Sequence, residues 1–123
     1  MFRTMLVEDH ASFRQVIKYY LQSEFPSMSI VEAANGVQAF KEIDSYPPDL
    51  IFMDIKLPGE NGLELTARIK TKYPNVTVII LTSYDTQEYR EAATQAKADH
   101  FLSKGSSTRE GILTLVKSIL NGK

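Results

Sequence analysis

The sequence predicts an α/β domain built on one doubly wound parallel sheet, and three observations carry that prediction. Short apolar runs alternate with stretches of helical periodicity from one end of the chain to the other, which is the pattern of repeated βαβ units. The connections between them are brief and punctuated by proline and polar residues, so the crossovers place helices on both faces of the sheet. Leu50–Met53 is continuously apolar, and Val76–Leu81 is apolar but for Thr77, as expected of strands covered on both sides.

The first strand is Thr4–Val7. Phe13, Val16, Ile17, Tyr20 and Leu21 then recur at helical spacing and make an apolar stripe, and Pro26 closes that helix. Ser29–Ala33 reads as the second strand. Val37, Phe40 and Ile43 set the buried side of a second helix, stopped by Pro47-Pro48. Leu50–Met53 follows as the third strand, and Leu65 and Ile69 mark a third helix that ends near Pro74. After the strand Val76–Leu81, Ala92, Ala93 and Ala96 give a weaker fourth helix. Phe101–Ser103 is a short fifth strand, and Ile112, Leu115, Val116, Ile119 and Leu120 form the last amphipathic helix. No internal repeat, linker or low-complexity segment interrupts this order, so residues 1–123 read as one domain.

Composition narrows the function. A chain of 123 residues can bury a sizeable core, and 43% hydrophobic with 24% charged residues is ordinary for a globular protein. The absence of cysteine excludes disulfide and thiolate chemistry and suits a reducing, cytoplasmic compartment. No apolar stretch approaches the length of a membrane span, and Glu8-Asp9 interrupts any signal peptide. A net charge of −1 gives no electrostatic footprint for nucleic acid, so direct contact with it is not expected.

Five residues stand at the ends of predicted strands: Glu8 and Asp9, Asp54, Thr82, and Lys104. In an open α/β sheet, ligands bind outside the carboxyl ends of the strands where strand order reverses. Three acids, a hydroxyl and an ammonium would therefore meet in one crevice. Magnesium prefers oxygen ligands and usually takes one or two carboxylates plus phosphate oxygens. Glu8, Asp9 and Asp54 supply that oxygen, with the backbone carbonyl of Lys56 as a further ligand, and Mn²⁺ would suit the same donors. Crowded carboxylates repel one another and raise the pKa of at least one of them, which Lys104 relieves in part. Asp54 can then act as a carboxylate nucleophile toward phosphorus, with Thr82 and Lys104 neutralising the phosphoryl oxygens.

In this order, these residues resemble the receiver domain of two-component response regulators. The resemblance rests on Glu8-Asp9, on Asp54 after Leu-Ile-Phe-Met and before Ile-Lys-Leu-Pro-Gly-Glu-Asn-Gly, on Thr82 after Val-Ile-Ile-Leu, and on Lys104 in Phe-Leu-Ser-Lys. It covers essentially the whole chain. It implies a flavodoxin-like (βα)5 fold of strand order 2-1-3-4-5 and phosphorylation of Asp54 by a histidine kinase or phosphotransfer protein. It further implies a switch in which Thr82 moves toward the phosphoryl group and Phe101 packs inward. The changed surface would be the fourth helix, fifth strand and fifth helix, read by an output domain, a partner or a second copy of the chain. Such a protein is a signalling switch rather than an enzyme with a separate substrate. Tyr84 and Lys56 would sit at the pocket mouth, with Tyr89 on the adjoining helix.

Each residue alone has a plainer reading. Asp9 precedes a helix and suits an N-cap, Asp54 precedes a loop with Pro58, Gly59 and Gly62 and suits a turn, and Thr82 and Lys104 suit a strand end and a solvated surface. His10 and His100 are assigned no catalytic part. Two rival functions share parts of the pattern. A flavin carrier of the same topology would want a Ser-, Thr- and Gly-rich phosphate loop after the first strand, where this chain has Glu8-Asp9-His10. A phosphatase with a nucleophilic Asp would want an acid at Lys56. Two departures from the receiver pattern stand out. Gly105 replaces a proline that many receivers carry after the lysine, which leaves open a cis bond that would cost about 3–4 kcal/mol. Lys97 replaces a glycine after the fourth helix, at a cost of about 1 kcal/mol if the backbone there is left-handed. The chain stops soon after the last helix pattern, which suits a stand-alone receiver or the front of a longer regulator. Lys-Gly-Ser-Ser after the fifth strand favours the latter, with a helix-turn-helix output.

Overall fold

Alternating apolar runs and amphipathic stretches fold as their periods require, and the computed structural model describes residues 2–122. Met1 and Lys123, the ends of the expected 1–123 domain, lie outside the described residues. The strands are β1 (Arg3–Val7), β2 (Ser29–Ala33), β3 (Leu50–Met53), β4 (Lys56–Leu57), β5 (Glu60–Asn61), β6 (Thr77–Thr82) and β7 (His100–Ser103). The helices are α1 (Ala11–Glu24), α2 (Gly36–Ser45), α3 (Gly62–Lys72), α4 (Gln87–Gln95) and α5 (Arg109–Gly122). Five strands form a parallel sheet ordered β2-β1-β3-β6-β7. With the small antiparallel β4-β5 ladder set aside, this is the expected order 2-1-3-4-5.

The sheet separates two cores. On one face Met5, Val7, Ile51, Met53, Val78 and Ile80 pack against Ile43 of α2, Leu65 and Ile69 of α3 and Ala93 of α4. On the other, Leu6, Leu50, Phe52, Ile79 and Leu81 pack against Ile17 and Leu21 of α1 and Ile112, Leu113 and Val116 of α5. Side chains alternate between faces along each strand, so β1, β3 and β6 serve both cores at once. Covered on both sides, they have no room to slip in register.

Some helix faces sit differently from the spacing-based expectation. On α2 the buried residues are Gly36, Ala39 and Ile43, while Val37 is 79% exposed. Gly36 lies against the Glu60 side chain and Ala39 packs in the core, which leaves Val37 facing outward. Val16 of α1 is likewise exposed. The segment after Asp54, expected as a plain loop, carries the β4-β5 ladder, which turns at Gly59 with φ +76°. The peptide between Lys104 and Gly105 is trans, since no described peptide bond is cis. Lys97 does adopt the left-handed conformation, with φ 72°. Its N–H reaches Thr94 O, and Ala98 N–H reaches Ala93 O, both at 3.0 Å. These two bonds form a Schellman closure of α4 on a residue other than glycine.

Candidate functional site

Strand register brings the strand-end residues together. Val7 pairs with Met53, Met53 with Ile80, and Thr82 with Ser103. Glu8, Asp54, Thr82 and Lys104 therefore emerge side by side at one end of the sheet. Glu8 and Asp54 flank the boundary between β1 and β3, where chain order reverses, which is the ligand-binding position of such sheets.

Glu8, Asp54 and Thr82 are all buried. The Lys104 ammonium lies 2.5 Å from Glu8 Oε1 and 3.2 Å from Asp54 Oδ2. The other oxygen of Asp54 accepts the Ile55 N–H at 2.8 Å, and the other oxygen of Glu8 accepts the His10 N–H at 3.1 Å. Burial raises the pKa of Glu8, and the Asp54 charge adds to the rise, against the hydrogen bonds from Lys104 and His10. Mutual repulsion, the cause expected from sequence, is thus the smaller contribution. Burial opposes the charge of Lys104, yet its hydrogen bond to Glu8 and the two carboxylate charges carry its pKa above the usual lysine value. Thr82 Oγ1 accepts the Tyr84 N–H at 3.3 Å.

Asp9 is not the N-cap of α1. That position belongs to His10, whose side chain makes no capping bond. Instead Asp9 Oδ1 is buried without a hydrogen-bond partner. Ligand atoms of Glu8, Asp9, His10 and Asp54 all lie within 4.8 Å of one another. A buried carboxylate oxygen lacking a donor, beside two further carboxylates, matches the all-oxygen preference of a hard divalent cation. The donor set fits a cation, which Glu8, Asp9 and Asp54 could hold.

His10 was missed as a member of this cluster. Its Nδ1 is 3.2 Å from Glu8 Oε2 and 3.6 Å from Asp9 Oδ1, and direct succession to the acidic pair was the available signal. Gly62, expected in the loop after Asp54, is instead the first residue of α3. It opens α3 so close to β3 that a Cβ there would lie 1.8 Å from the Asp54 carbonyl oxygen. Lys56 is not free at the pocket mouth: its ammonium lies 5.3 Å and 5.4 Å from the ring centres of Tyr84 and Tyr89. Those rings meet edge-on at 6.0 Å. Phe101 is half-buried against the α2–α4 core, with the Arg90 guanidinium 4.7 Å over its ring. Arg90 is held in turn by Asp85.

Comparison with known proteins decides the family: the response regulator receiver domain matches residues 4–117. The chain belongs to that family. As a receiver domain it is similar to the oxygen regulatory protein NreC of Staphylococcus aureus, at 28% identity over 98% of this chain and 56% of the relative. The chain thus spans about half the length of the curated relatives it matches. Among solved structures it resembles a CheY-like receiver domain protein from Methanospirillum hungatei JF-1. That match has a TM-score of 0.90 and 25% identity, over 99% of this chain and 95% of that one. A LuxR-family two-component response regulator from Aurantimonas sp. SI85-9A1 matches with TM-score 0.86 and 30% identity, over 98% and 86%. A LuxR-family DNA-binding response regulator from Staphylococcus aureus matches with TM-score 0.87 and 28% identity, over 97% and 98%. Receiver domains hold a divalent metal in an acidic pocket and work with a histidine kinase and an output domain. Among the described residues, no helix is long and apolar enough to cross a membrane.

Proposed function

We propose that this receiver domain accepts a phosphoryl group on Asp54 from the phosphohistidine of a histidine kinase or phosphotransfer protein. The observation that carries the proposal is the Lys104 ammonium bridging Glu8 and Asp54 beside the unpartnered oxygen of Asp9. An Asp54 carboxylate oxygen attacks phosphorus, the O–P bond forms as the N–P bond breaks, and the departing imidazole nitrogen keeps the electron pair and takes a proton. Lys104 stays within reach of the phosphoryl oxygens, and the Thr82 hydroxyl turns from the Tyr84 N–H to donate to one of them. Mg²⁺, or Mn²⁺ in its place, held by Glu8, Asp9, Asp54 and the Lys56 carbonyl, would offset the charge gathered on carboxylates and phosphate. The protein turns over no separate metabolite and acts as a switch.

The switch works through Thr82 and Phe101. Turning Thr82 toward the phosphoryl group frees space beside β7, and Phe101 packs inward from under Arg90. The surface that changes is α4, β7 and α5, which an output domain, a partner or a second phosphorylated copy would read. A reducing, cytoplasmic setting fits the lack of cysteine, and the net charge of −1 assigns any DNA contact to an output domain.

Mg²⁺ tests the cation site without any phosphodonor. Binding only the folded state, it raises the melting temperature as its concentration rises, and Asp9→Ala removes that rise. An Asp9→Ala variant with the full Mg²⁺ response would show that Asp9 holds no cation.

The lifetime of the phosphorylated state provides another test. Hydrolysis needs a water in line with the Asp54 oxygen, on the open side of phosphorus. Tyr84, pinned by Lys56 and Tyr89, covers that side and offers no carboxylate or amide to orient the water. The unmodified chain therefore dephosphorylates slowly. Tyr84→Ala shortens the lifetime several-fold, a change of about 1 kcal/mol in the barrier. Decay in excess Mg²⁺ at the parent rate or slower would remove Tyr84 from this role.

A further inference from the structure

Arg14 lies in the first turn of α1, one helical step from the acidic pair, and the proposed reading does not use it. Its guanidinium bridges β2 and the segment that follows β1. Nε donates to Glu32 Oε1 at 2.8 Å, on the edge strand β2, and Nη1 donates to the backbone carbonyl of Glu8 at 2.5 Å. That carbonyl belongs to the peptide joining Glu8 to Asp9, so its direction sets the direction in which the Asp9 carboxylate leaves the chain. Glu32 is itself held: Gln15 donates to Oε1 at 2.8 Å and Lys18 to Oε2 at 3.0 Å. The hydrogen bond from Arg14 first, then the bond and charge of Lys18, lower its pKa against the effect of burial, so it stays an anion and a fixed anchor. A planar guanidinium with donors in a rigid fork can hold two acceptors in fixed relation, which a lysine cannot.

We infer that Arg14 is a positioning residue for the cation site, clamping the Glu8–Asp9 peptide to β2 so that Asp9 stays aimed at the cation. The inference rests on the proposed cation site. It makes a prediction opposite in sign to simple electrostatics. Arg14 carries a positive charge beside a cation site, so removing that charge should tighten cation binding if charge alone matters. If Arg14 positions Asp9, removing it weakens binding.

The test titrates Mg²⁺ alone into the parent chain, Asp9→Ala, Arg14→Met, Arg14→Lys and Lys18→Met by calorimetry, with metal-free melting temperatures recorded alongside. Both Arg14 variants should bind Mg²⁺ about tenfold more weakly, as expected when the outer support of a metal ligand is lost. Lys18→Met, which removes a partner of Glu32 without touching the Glu8 carbonyl, should bind close to the parent. If Arg14→Met does not fold, Arg14→Lys carries the test, since it keeps the charge but cannot fork to both acceptors. Equal or tighter binding in folded Arg14 variants overturns the inference, even if they melt earlier, because a merely structural bridge moves stability and not affinity. A parent chain with no Asp9-dependent Mg²⁺ binding overturns the cation site and the clamp together. A parent that binds, with Arg14 variants that bind equally well, overturns the clamp alone.

Discussion

Asp54→Asn is expected to take up no phosphoryl group from acetyl phosphate and Mg²⁺, where the parent chain gains one. An amide oxygen carries no net charge and attacks phosphorus poorly, so the loss is of chemistry rather than of binding. The substitution nearly preserves shape. The asparagine oxygen still accepts the Ile55 N–H that Asp54 Oδ1 holds at 2.8 Å, and Lys104 keeps its pairing with Glu8. The variant should therefore fold, and its intact mass should stay that of the unmodified chain. Equal labelling of the Asn form would place the acceptor elsewhere.

Gly62→Ala should produce the largest loss of stability. The added methyl would lie 1.8 Å from the Asp54 carbonyl oxygen, 2.9 Å from its carbon and 3.1 Å from Ile55 Cα. All three are backbone atoms that no rotamer change can move aside. Either α3 or the end of β3 must shift, breaking the 2.7 Å bond from Gly62 N–H to Ile55 O. We expect a cost of about 3 kcal/mol, which for a domain of this size lowers the melting temperature by about 10 °C. Thermal unfolding followed by circular dichroism checks this. A variant that melts with the parent would mean that the helix start tolerates a side chain.

Most of the site was legible because Glu8, Asp54 and Thr82 follow or end strands buried on both faces. Apolar runs announce such strands, and the residue that ends each run emerges at the carboxyl end of the sheet, whereas Lys104 follows the half-buried edge strand β7 and was legible only through its Phe-Leu-Ser-Lys setting. What was not legible depends on the reach of long side chains across sequence. Nothing in local spacing says that Lys56 lies over Tyr84 and Tyr89, or that Arg14 spans from Glu32 to the Glu8 carbonyl. The rotation of α2 was hidden for a related reason. Val37 matches the apolar period, but Gly36 and Ala39 take the buried side, the former against the Glu60 side chain, a neighbour that local spacing does not reveal. His10 took the cap position from Asp9 because the acid turns inward toward the carboxylate cluster.

The placement of Lys104 also bears on how the chain acquires its structure. Glu8 lies near the amino terminus and Asp54 before the midpoint, while their common cation, Lys104, directly follows β7, the last of the described strands to leave the ribosome. Until β7 pairs with β6, closing β1 against β3 buries two carboxylates with no ammonium between them, which is strongly unfavourable. The first half of the chain therefore gains less from its final packing until Lys104 is in place. Contacts between distant parts of the sequence must form together, which slows folding and binds the halves into one cooperative transition. The ion pair that readies the pocket for its chemistry is thus also what makes the nascent domain wait for its own carboxyl-terminal third.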